Sequence, residues 1–289
     1  MSGRIKLLGR ISIEAELKAK TGLAIGGGDG GPSLGGLSVG GLSIGGLETA
    51  VVRDPLTGEP YVPGSSLKGK LRALTERALG AQLVAVVEGK SRRESRFLHR
   101  CAGEKEYLSG GGLDGYGGCA ICHLFGAIPD RYPVYPTRLV TRDAYFTSAS
   151  RQALAKRRTE LPFTEVKSES ILDRLTAASS PRHCERVPAG GAFDARWELN
   201  LYAVDGNDLH DEKLLGLLLA GLGLLEEDYL GGQGSRGYGR VEFSGLKVKV
   251  SHDGGLSAEA KDLVAKLSAG GTVAAALAIS GNPLAKAGS

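Results

Sequence analysis

The chain has 289 residues, of which 42% are hydrophobic and 24% are charged, and its formal net charge is +4. This composition is that of a folded globular protein and excludes a chain that is disordered throughout. The net charge is too small to indicate a nucleic acid partner by itself. Whether the chain binds a nucleic acid must therefore be judged from the positions of its basic residues.

The sequence contains no run of 18 uncharged apolar residues and no basic start followed by an apolar segment. We therefore predict a soluble, cytoplasmic protein with no membrane partner. Glycine is the unusual residue, because its 45 copies are about twice the average usage and concentrate in loops. Three Asn, three Gln and one Met in the whole chain indicate a thermophilic source.

Six segments follow the periods of regular secondary structure. The first is a strand at residues 10–18, where apolar and polar side chains alternate strictly. The others are a helix beginning near Ser66, strands at 138–146 and 193–201, a leucine-rich helix at 209–227 and a strand at 241–250. The order strand, helix, strand, strand, helix, strand is the ferredoxin-like pattern, which RNA recognition modules also use. We therefore predict an α+β protein with a ferredoxin-like, RRM-like core.

Long insertions separate these elements of the predicted core, which spans residues 1–250 and precedes a helical tail at 251–289. The insertions are a glycine-rich loop at 24–49, a metal-binding segment at 82–136 and a thumb or lid at 147–192. The stretch Gly26–Leu47 contains little besides Gly, Ser and single aliphatic residues, so we predict that it is mobile. Residues 88–136 are predicted to be irregular, as are residues 156–191 apart from one short helix. In the tail, residues 257–268 have the period of an amphipathic helix.

The first helix begins in a segment suited to binding an anion. Gly64–Lys70 has the glycine and lysine spacing of a phosphate-binding loop, but Leu71 stands where such a loop needs Ser or Thr, so a nucleotide triphosphatase is excluded. The free N–H groups of a helix start remain suited to a phosphate. The side chains predicted to contact it are Ser65, Ser66, Lys68, Lys70 and Arg72. The alternative is a surface helix that Ser65 or Ser66 caps and whose cations are solvated.

A second glycine-rich segment, residues 231–239, connects the second helix to the last strand and contains five glycines. Glycine permits positive φ and close approach of the backbone to a polyanion. Arg236 adds a fork of hydrogen-bond donors, and Tyr238 adds a face on which a base can stack. We predict that Gly234, Ser235, Arg236 and Tyr238 contact the polyanion. The alternative is a segment that is only a tight connection.

Basic residues also recur at 90–100 and at 156–158. Each cluster alone is typical of a solvated face. Together with two glycine motifs and a ferredoxin-like order, they favour RNA as the polyanion, because its phosphates need cations at many points. The acidic residues are scattered, and their spacing identifies neither a general base nor a two-metal nuclease.

Three of the four cysteines form the most specific chemical motif. Cys119 and Cys122 are a chelating pair, and His99 and Cys101 supply a second pair upstream. The ligand set Cys3His of a structural Zn2+ site is therefore complete. His99 is preferred over His123 as the fourth ligand, because two adjacent residues chelate awkwardly. Disulfide bonds and free buried thiols are the alternatives.

Several longer motifs resemble the RAMP superfamily of CRISPR effector proteins. They begin with Thr21–Gly27 and continue with Val51–Pro55 and Tyr61–Arg72. Further matches, in the order seen in the repeated backbone subunit of type III-A (Csm) complexes, fall at 124–126, 142–144, 164–167, 173–177, 181–182, 185–186 and 228–239. The resemblance covers roughly residues 5 to 250.

The resemblance implies a modified RRM-like core whose copies stack into a filament, with an irregular thumb that grips the CRISPR guide RNA. The implied partners are the guide RNA, the target RNA, further copies of the same chain and the other Csm-complex subunits. Within the matching motifs we expect Arg53 and Arg186 to join the residues that contact RNA.

The resemblance also implies cleavage of the target RNA with Mg2+ or Mn2+. In that family an aspartate just before the Val-Val-Arg-Asp-Pro match cuts the target strand, and this place falls on Glu48 here. Asp29 is the other carboxylate of the expanded loop. Glu is one methylene longer than Asp, so the alternative is a non-catalytic scaffold subunit. A guide-processing endonuclease is disfavoured, because it would need a histidine near Ala24 and the sequence has none there.

Overall fold

A computed structural model gives the fold, and it describes residues 4–26, 47–87, 96–109, 113–114, 116–127, 134–157, 161–268 and 271–286. The strands are β1 (Ile5–Ala19), β2 (Leu47–Thr49), β3 (Leu83–Val87), β4 (Arg96–His99), β5 (Leu139–Thr141), β6 (Tyr145–Phe146), β7 (Glu165–Leu172), β8 (Ser179–Arg186), β9 (Ala192–Val204), β10 (Asn207–Asp208) and β11 (Val241–Asp253). The helices are α1 (Gly64–Ala78), α2 (Glu104–Ser109), α3 (Ala120–Phe125), α4 (Ser148–Ala155), α5 (Lys213–Glu227), α6 (Ala258–Leu267) and α7 (Val273–Ser280). Within these ranges, no helix combines the length and the apolar character needed to cross a lipid bilayer.

The central sheet has β1 in the middle, with β11 on one side and β9 on the other, and the short strands β5 and β6 pair with β9. All of these pairs are antiparallel. With α1 following β1 and α5 following β9, the arrangement is ferredoxin-like, and the predicted fold class is confirmed. The strand predicted at 138–146 is split, because Ala144 leaves β9 and pairs with Val62 instead.

Helices α1 and α5 cover one face of the central sheet. The apolar side chains that alternate along β1, Ile11, Ile13 and Leu17, are fully buried beneath them. Trp197 and Phe243 meet edge to face, with their ring centroids 5.6 Å apart. Burying one such side chain stabilises the fold by about 1.5–3 kcal/mol.

Helix α5 is buried along most of its length because it lies between α1 and the C-terminal helices. At Gly223 a Cβ atom would lie 3.3 Å from Leu277 Cδ1 of α7, so the two helices approach closely there. The tail contains the predicted helix, α6, and also α7, which was not predicted. Val273–Ser280 has almost no polar residue, so its sequence lacks the periodic contrast that indicates a helix.

The other face of the central sheet carries a network of ion pairs. Glu14 lies 3.6 Å from Arg196 and 2.7 Å from Lys249, and Arg196 lies 2.7 Å from Glu198. RNA recognition modules stack bases on aromatic side chains of their central strands. Here the same positions hold paired charges, which directs the search for a nucleic acid interface to the loops.

A β-hairpin, formed by β7 and β8, lies where irregular structure was predicted. The short strand β2 adds to it in parallel, with Leu47 opposite His183 and Thr49 opposite Cys184. The prediction is wrong because most side chains of the two strands are polar and only two are fully buried, so no apolar face marks the strand period. The short helix predicted within residues 156–191 is wrong for the described part of that range, because the nearest helix, α4, already ends at Ala155.

The segment at 82–136 is also more regular than predicted. It contains the antiparallel pair of β3 and β4 and the helices α2 and α3. Each of these elements has only four to six residues, which is too short for a period to be recognised. Residues 27–46 of the predicted mobile loop (Gly26–Leu47) lie outside the described residues, as do residues 88–95, which hold most of the first basic cluster.

Helix α1 begins at Gly64, and its start is bound by a carboxylate of the protein. Pro63 is the N-cap residue and offers no side-chain cap. The backbone N–H of Gly64 donates to the Asp143 carboxylate at 2.7 Å. The predicted cap at Ser65 or Ser66 is therefore wrong. Asp143 takes part of the anion-binding role that the sequence assigned to a phosphate.

Candidate nucleic acid interface and metal centre

The glycine loop, which we define as residues 228–240, packs on the first glycine motif at residues 21–26. The backbone N–H of Gly232 donates to the Ala24 carbonyl oxygen at 2.8 Å. At Gly231 a Cβ atom would lie 2.3 Å from the same oxygen, and φ is +80°, so only glycine fits. The two glycine motifs of the sequence therefore form one surface lined by backbone.

Tyr238 fixes the β7–β8 hairpin to this surface. Its hydroxyl donates to the Glu169 carboxylate at 2.8 Å. The residue is 1% exposed, and the charged groups of Lys167 and Arg186 lie 4.7 and 4.9 Å from the centroid of its ring. The ring is closed to a base, contrary to the prediction, because these two cations already cover it.

Glu169 forms ion pairs with two cations of the hairpin. Its carboxylate lies 2.9 Å from Lys167 Nζ and 3.4 Å from Arg182 Nη2. Hydrogen bonds from Lys167 and from the tyrosine hydroxyl lower the pKa of Glu169 to about 2, so this carboxylate is charged at neutral pH. Arg182 also donates to Gln233 Oε1 at 3.0 Å, and Arg236 donates to the same oxygen.

Lys70 links helix α1 to the glycine loop. Its Nζ lies 3.0 Å from the Asp228 carboxylate and 3.7 Å from the ring centroid of Tyr229. Tyr229 in turn packs on Gly234, where a Cβ atom would lie 2.0 Å from the ring. An open cleft of about 470 Å3 lies beside them and is lined in part by Ser235.

We call the first glycine motif (21–26), the β7–β8 hairpin (165–186) and the glycine loop (228–240) together the loop surface. Among the residues predicted to bind RNA, it includes Arg186, Gly234, Ser235, Arg236 and Tyr238, with Lys70 at its border. Ser235 and Arg236 are exposed on it. Arg186 is held by Glu165, with its Nε 2.7 Å from the carboxylate.

Three other predicted RNA-binding cations contact groups of the protein. Lys68 Nζ donates to the Leu139 carbonyl oxygen at 2.7 Å, and burial lowers the pKa of Lys68. Arg53 forms an ion pair with Glu185, and the two side chains are only 13% and 3% exposed. Arg72 contacts the metal centre described below. The structure thus gives each of these cations a structural contact that the sequence did not indicate.

The two carboxylates predicted to be catalytic are only partly located. Asp29 lies outside the described residues, and for Glu48 only the backbone is described, in β2. This strand pairs with β8 at His183 and Cys184. Gln233 of the glycine loop donates to Cys184 Sγ at 3.5 Å. The strand that carries Glu48 therefore borders the loop surface.

Four possible metal ligands meet between α1 and α3. The ligand atoms of His99, Cys101, Cys119 and Cys122 lie within 4.8 Å of one another, and all four residues are buried. His99 Nε2 is 3.3 Å from Cys119 Sγ, and Cys101 Sγ is 3.6 Å from Cys122 Sγ. The sulfur–sulfur distance is well above the roughly 2.05 Å of a disulfide bond. The four side chains form a possible metal site, and we refer to them as the metal centre.

The imidazole of His99 is oriented for ligation. Its Nδ1 lies 3.1 Å from the Gln82 carbonyl oxygen, which leaves Nε2 directed at the sulfurs. Hydrogen bonds to Cys119 and Cys122 raise the pKa of His99 to about 10. The neighbouring thiols of Cys101 and Cys122 lower the pKa of Cys119. The cluster therefore already favours a thiolate, which is the form that binds metals.

His123, the alternative fourth ligand, belongs to a separate buried network. Its Nδ1 lies 2.7 Å from the Tyr116 hydroxyl, which donates to Asp211 at 2.9 Å. Asp211 pairs with Arg138, and both side chains are fully buried. Burial lowers the pKa of His123 to about 3, so its ring is neutral. The structure thus places His99, rather than His123, among the three cysteines.

Sequence reasoning missed the residues that join the hairpin to the glycine loop. Glu169 stands opposite Arg182 in the register of β7 and β8, and this pairing has no signal until the hairpin itself is recognised. Gln233 lies inside the recognised glycine loop, so it could have been considered as a polar anchor.

A family model described as the RAMP superfamily matches residues 16–242. The match covers more than half of the chain, which therefore belongs to the RAMP superfamily, as its motifs indicated. A protein of Streptococcus thermophilus named CRISPR system Cms endoribonuclease Csm3 is 34% identical, over 83% of this chain and 89% of that protein. A protein of the same name from Methanothermobacter thermautotrophicus is 33% identical, over 70% and 74%. Within the superfamily, the chain thus falls in the family of Csm3 proteins.

A solved structure described as the Methanopyrus kandleri Csm3 crystal structure is 24% identical to this chain. Its TM-score is 0.49, and the alignment covers 85% of this chain and 79% of that one.

Proposed function

We propose that this chain is a backbone subunit of a type III-A CRISPR interference complex, which binds guide RNA and cleaves the paired target RNA. Its partners are the guide RNA, the target RNA, further copies of itself in a filament and the other Csm subunits. The family supports this proposal, since the relatives are named as Csm3 endoribonucleases.

The loop surface is the observation that carries the proposal. It joins two glycine-lined backbone segments to a hairpin that presents Lys167, Arg182 and Arg186, with the exposed Arg236 beside them. Glycine backbone lets a phosphate approach closely, and several cations along one path suit a strand rather than a single anion. Contacts of this kind position RNA without reading its sequence.

The decisive experiment uses the complex assembled on its guide RNA, with labelled target RNA and Mg2+. We expect products cut at regular spacing, because each copy along the filament carries one candidate site. The isolated chain should bind single-stranded RNA with an affinity that falls as salt rises. The absence of salt-dependent RNA binding would contradict the proposal as a whole.

A second candidate function is that of a scaffold subunit, which binds RNA without cutting it. The specific observation in its favour is Glu48, which stands where the family motif has an aspartate. This function predicts intact target binding with no cut products in either Mg2+ or Mn2+. The same gel therefore separates the two candidates.

Arg236 is an exposed cation of the glycine loop, and we expect the Arg236→Ala variant to bind RNA more weakly, by the same factor for unrelated sequences. Each phosphate contact with a single strand contributes about 0.7 to the slope of log K against log salt, so the slope should fall by about that amount. Filter binding over a series of salt concentrations measures it. Lys266→Ala removes the same charge from α6 and serves as the control. A change in sequence preference without loss of affinity would exclude a phosphate contact.

The Gly69→Ala variant is expected to raise the stability of the fold and to weaken assembly on RNA. Gly69 lies exposed inside α1, and a Cβ atom there would meet no atom within 4 Å. An exposed helix interior prefers alanine to glycine by about 0.5–1 kcal/mol, so Gly69→Ala should raise the free energy of unfolding. If the RNA backbone or a second copy approaches this face, the variant should also assemble more weakly on guide RNA. Denaturant unfolding and RNA binding test the two effects, and unchanged RNA binding would remove this face from the interface.

For the metal centre we propose a single structural Zn2+ held by His99, Cys101, Cys119 and Cys122. A tetrahedral site with zinc–sulfur bonds of about 2.3 Å places its sulfurs about 3.8 Å apart, and the distance between Cys101 and Cys122 is 3.6 Å. Three thiolates and one imidazole also form a closed set, typical of structural zinc. The proposed role of the Zn2+ is to fix the segment that contains α2 and α3 to the core.

A further inference from the structure

The ion pair between Arg72 and Glu76 lies on α1, against the metal centre. Arg72 Nε lies 2.7 Å from Glu76 Oε1, and the two side chains are 17% and 7% exposed. The sequence predicted that Arg72 contacts RNA, because it follows Lys68 on the same helix face. In the structure, both members of the pair instead contact the segments that supply the metal ligands.

Arg72 bridges the two ligand-bearing segments. Its Nη2 donates to the carbonyl oxygen of His99 at 2.8 Å, and its Nη1 donates to the carbonyl oxygen of Gly126 at 3.0 Å. His99 is itself a ligand residue, while Gly126 ends helix α3 and donates its own N–H to the carbonyl oxygen of Cys122. One guanidinium therefore spans the backbone of both halves of the metal centre.

Glu76 binds the segment that contains His99 and Cys101 through the backbone N–H of His99. Its Oε1 accepts the backbone N–H of His99 at 3.1 Å and also the Arg72 Nε. The backbone N–H and carbonyl oxygen of His99 are thus both bound by one ion pair. Because the pair is largely buried, these hydrogen bonds to charged groups are worth more than neutral ones.

We propose that Arg72 and Glu76 are positioning residues of the metal centre, which hold its two ligand-bearing segments in register on helix α1. This inference rests on the Zn2+ site proposed above and not on RNA binding. Arginine is the residue that this position requires, because three of its nitrogens donate in one plane to three acceptors, and the single ammonium group of lysine cannot reproduce that fork. Partners that orient metal ligands typically affect metal affinity by about 10–100-fold.

The test compares the rate of Zn2+ transfer from the purified full chain to a colorimetric chelator. The variants are Arg72→Lys, which keeps the charge, and Arg72→Met, which removes it. Arg77→Met is the matched control, because Arg77 is exposed on the same helix. The absorption spectrum of the Co2+-substituted protein reports the ligand geometry, and RNA binding of the Zn2+-loaded chains is measured in parallel.

We expect Zn2+ release to accelerate by about 10–100-fold in both Arg72 variants, with an altered Co2+ spectrum, while Arg77→Met behaves as the wild type. If Arg72→Met does not fold, Arg72→Lys decides alone. If both variants release Zn2+ at the wild-type rate, while RNA binding is lost in Arg72→Met and kept in Arg72→Lys, the inference is wrong. Arg72 would then be a residue that contacts RNA. If the wild-type chain takes up no Zn2+, both the proposed Zn2+ site and this inference are wrong. The RNA-binding proposal is unaffected by that result.

Discussion

The Glu48→Ala variant is expected to lose cleavage of target RNA and to keep its binding, when it is assembled with its guide RNA and partner subunits. The resemblance assigns Glu48 to the place of the family's aspartate, and its strand borders the loop surface through β8. Removing a group that takes part directly in the chemistry typically lowers the rate by about 10²–10⁴-fold. Single-turnover assays with labelled target RNA in Mg2+ measure the rate, and native gels measure the binding.

Glu48→Asp and Lys266→Ala complete this experiment. The first introduces the residue that the resemblance assigns to the family motif, so we expect cleavage at least as fast as in the wild type. The second removes a charge from α6, outside the loop surface, and it should leave the rate unchanged. If Glu48→Ala cuts at the wild-type rate, Glu48 is not part of the mechanism. If neither the wild type nor Glu48→Asp cuts, the scaffold function is the correct one.

The second large effect is expected for Cys119→Ser, which removes one ligand of the metal centre. Zn2+ content should fall from one ion per chain to none, and the thermal midpoint should fall by about 10 °C. Loss of a bound metal belongs with the largest destabilisations, of about 4–5 kcal/mol, and each kcal/mol shifts the midpoint of a large domain by roughly 2–4 °C. Metal analysis and differential scanning calorimetry measure the two quantities.

The buried Cys184 supplies the control, since it lies on β8 beside Gln233 and outside the metal centre. Cys184→Ser should keep its Zn2+. Hydrogen exchange should show the loss in Cys119→Ser concentrated in residues 96–127, because the central sheet has its own core. A Cys119→Ser chain with unchanged Zn2+ content and thermal midpoint would exclude Cys119 as a ligand.

The strands and helices of the ferredoxin-like core could be predicted because their side chains face two different environments. In β1, for example, Ile11 and Ile13 are buried while Arg10 and Glu14 remain partly exposed. The alternation of apolar and polar residues in the sequence reflects this difference in burial. The grouping of His99 with three cysteines could be predicted for a different reason: short spacings between chelating residues constrain geometry even without knowledge of the fold.

The contacts of the basic residues could not be predicted in the same way. Lys68, Lys70 and Arg72 look equivalent in sequence, yet they contact a carbonyl of β5, a carboxylate of the glycine loop and the metal centre, respectively. Their partners lie far along the chain, so only the tertiary structure decides which cation is structural. The β7–β8 hairpin was missed because its polar strands carry little periodic contrast.

Four cations on or beside the loop surface are paired with carboxylates of the protein itself. Lys70 is held by Asp228, Arg186 by Glu165, and both Lys167 and Arg182 by Glu169. In the proposed RNA binding, each phosphate that approaches one of these cations competes with a resident carboxylate and gains only the difference between two ion pairs. A short oligonucleotide would displace few of these carboxylates and bind weakly. In the proposed filament, a long guide strand would sum many small gains across successive subunits.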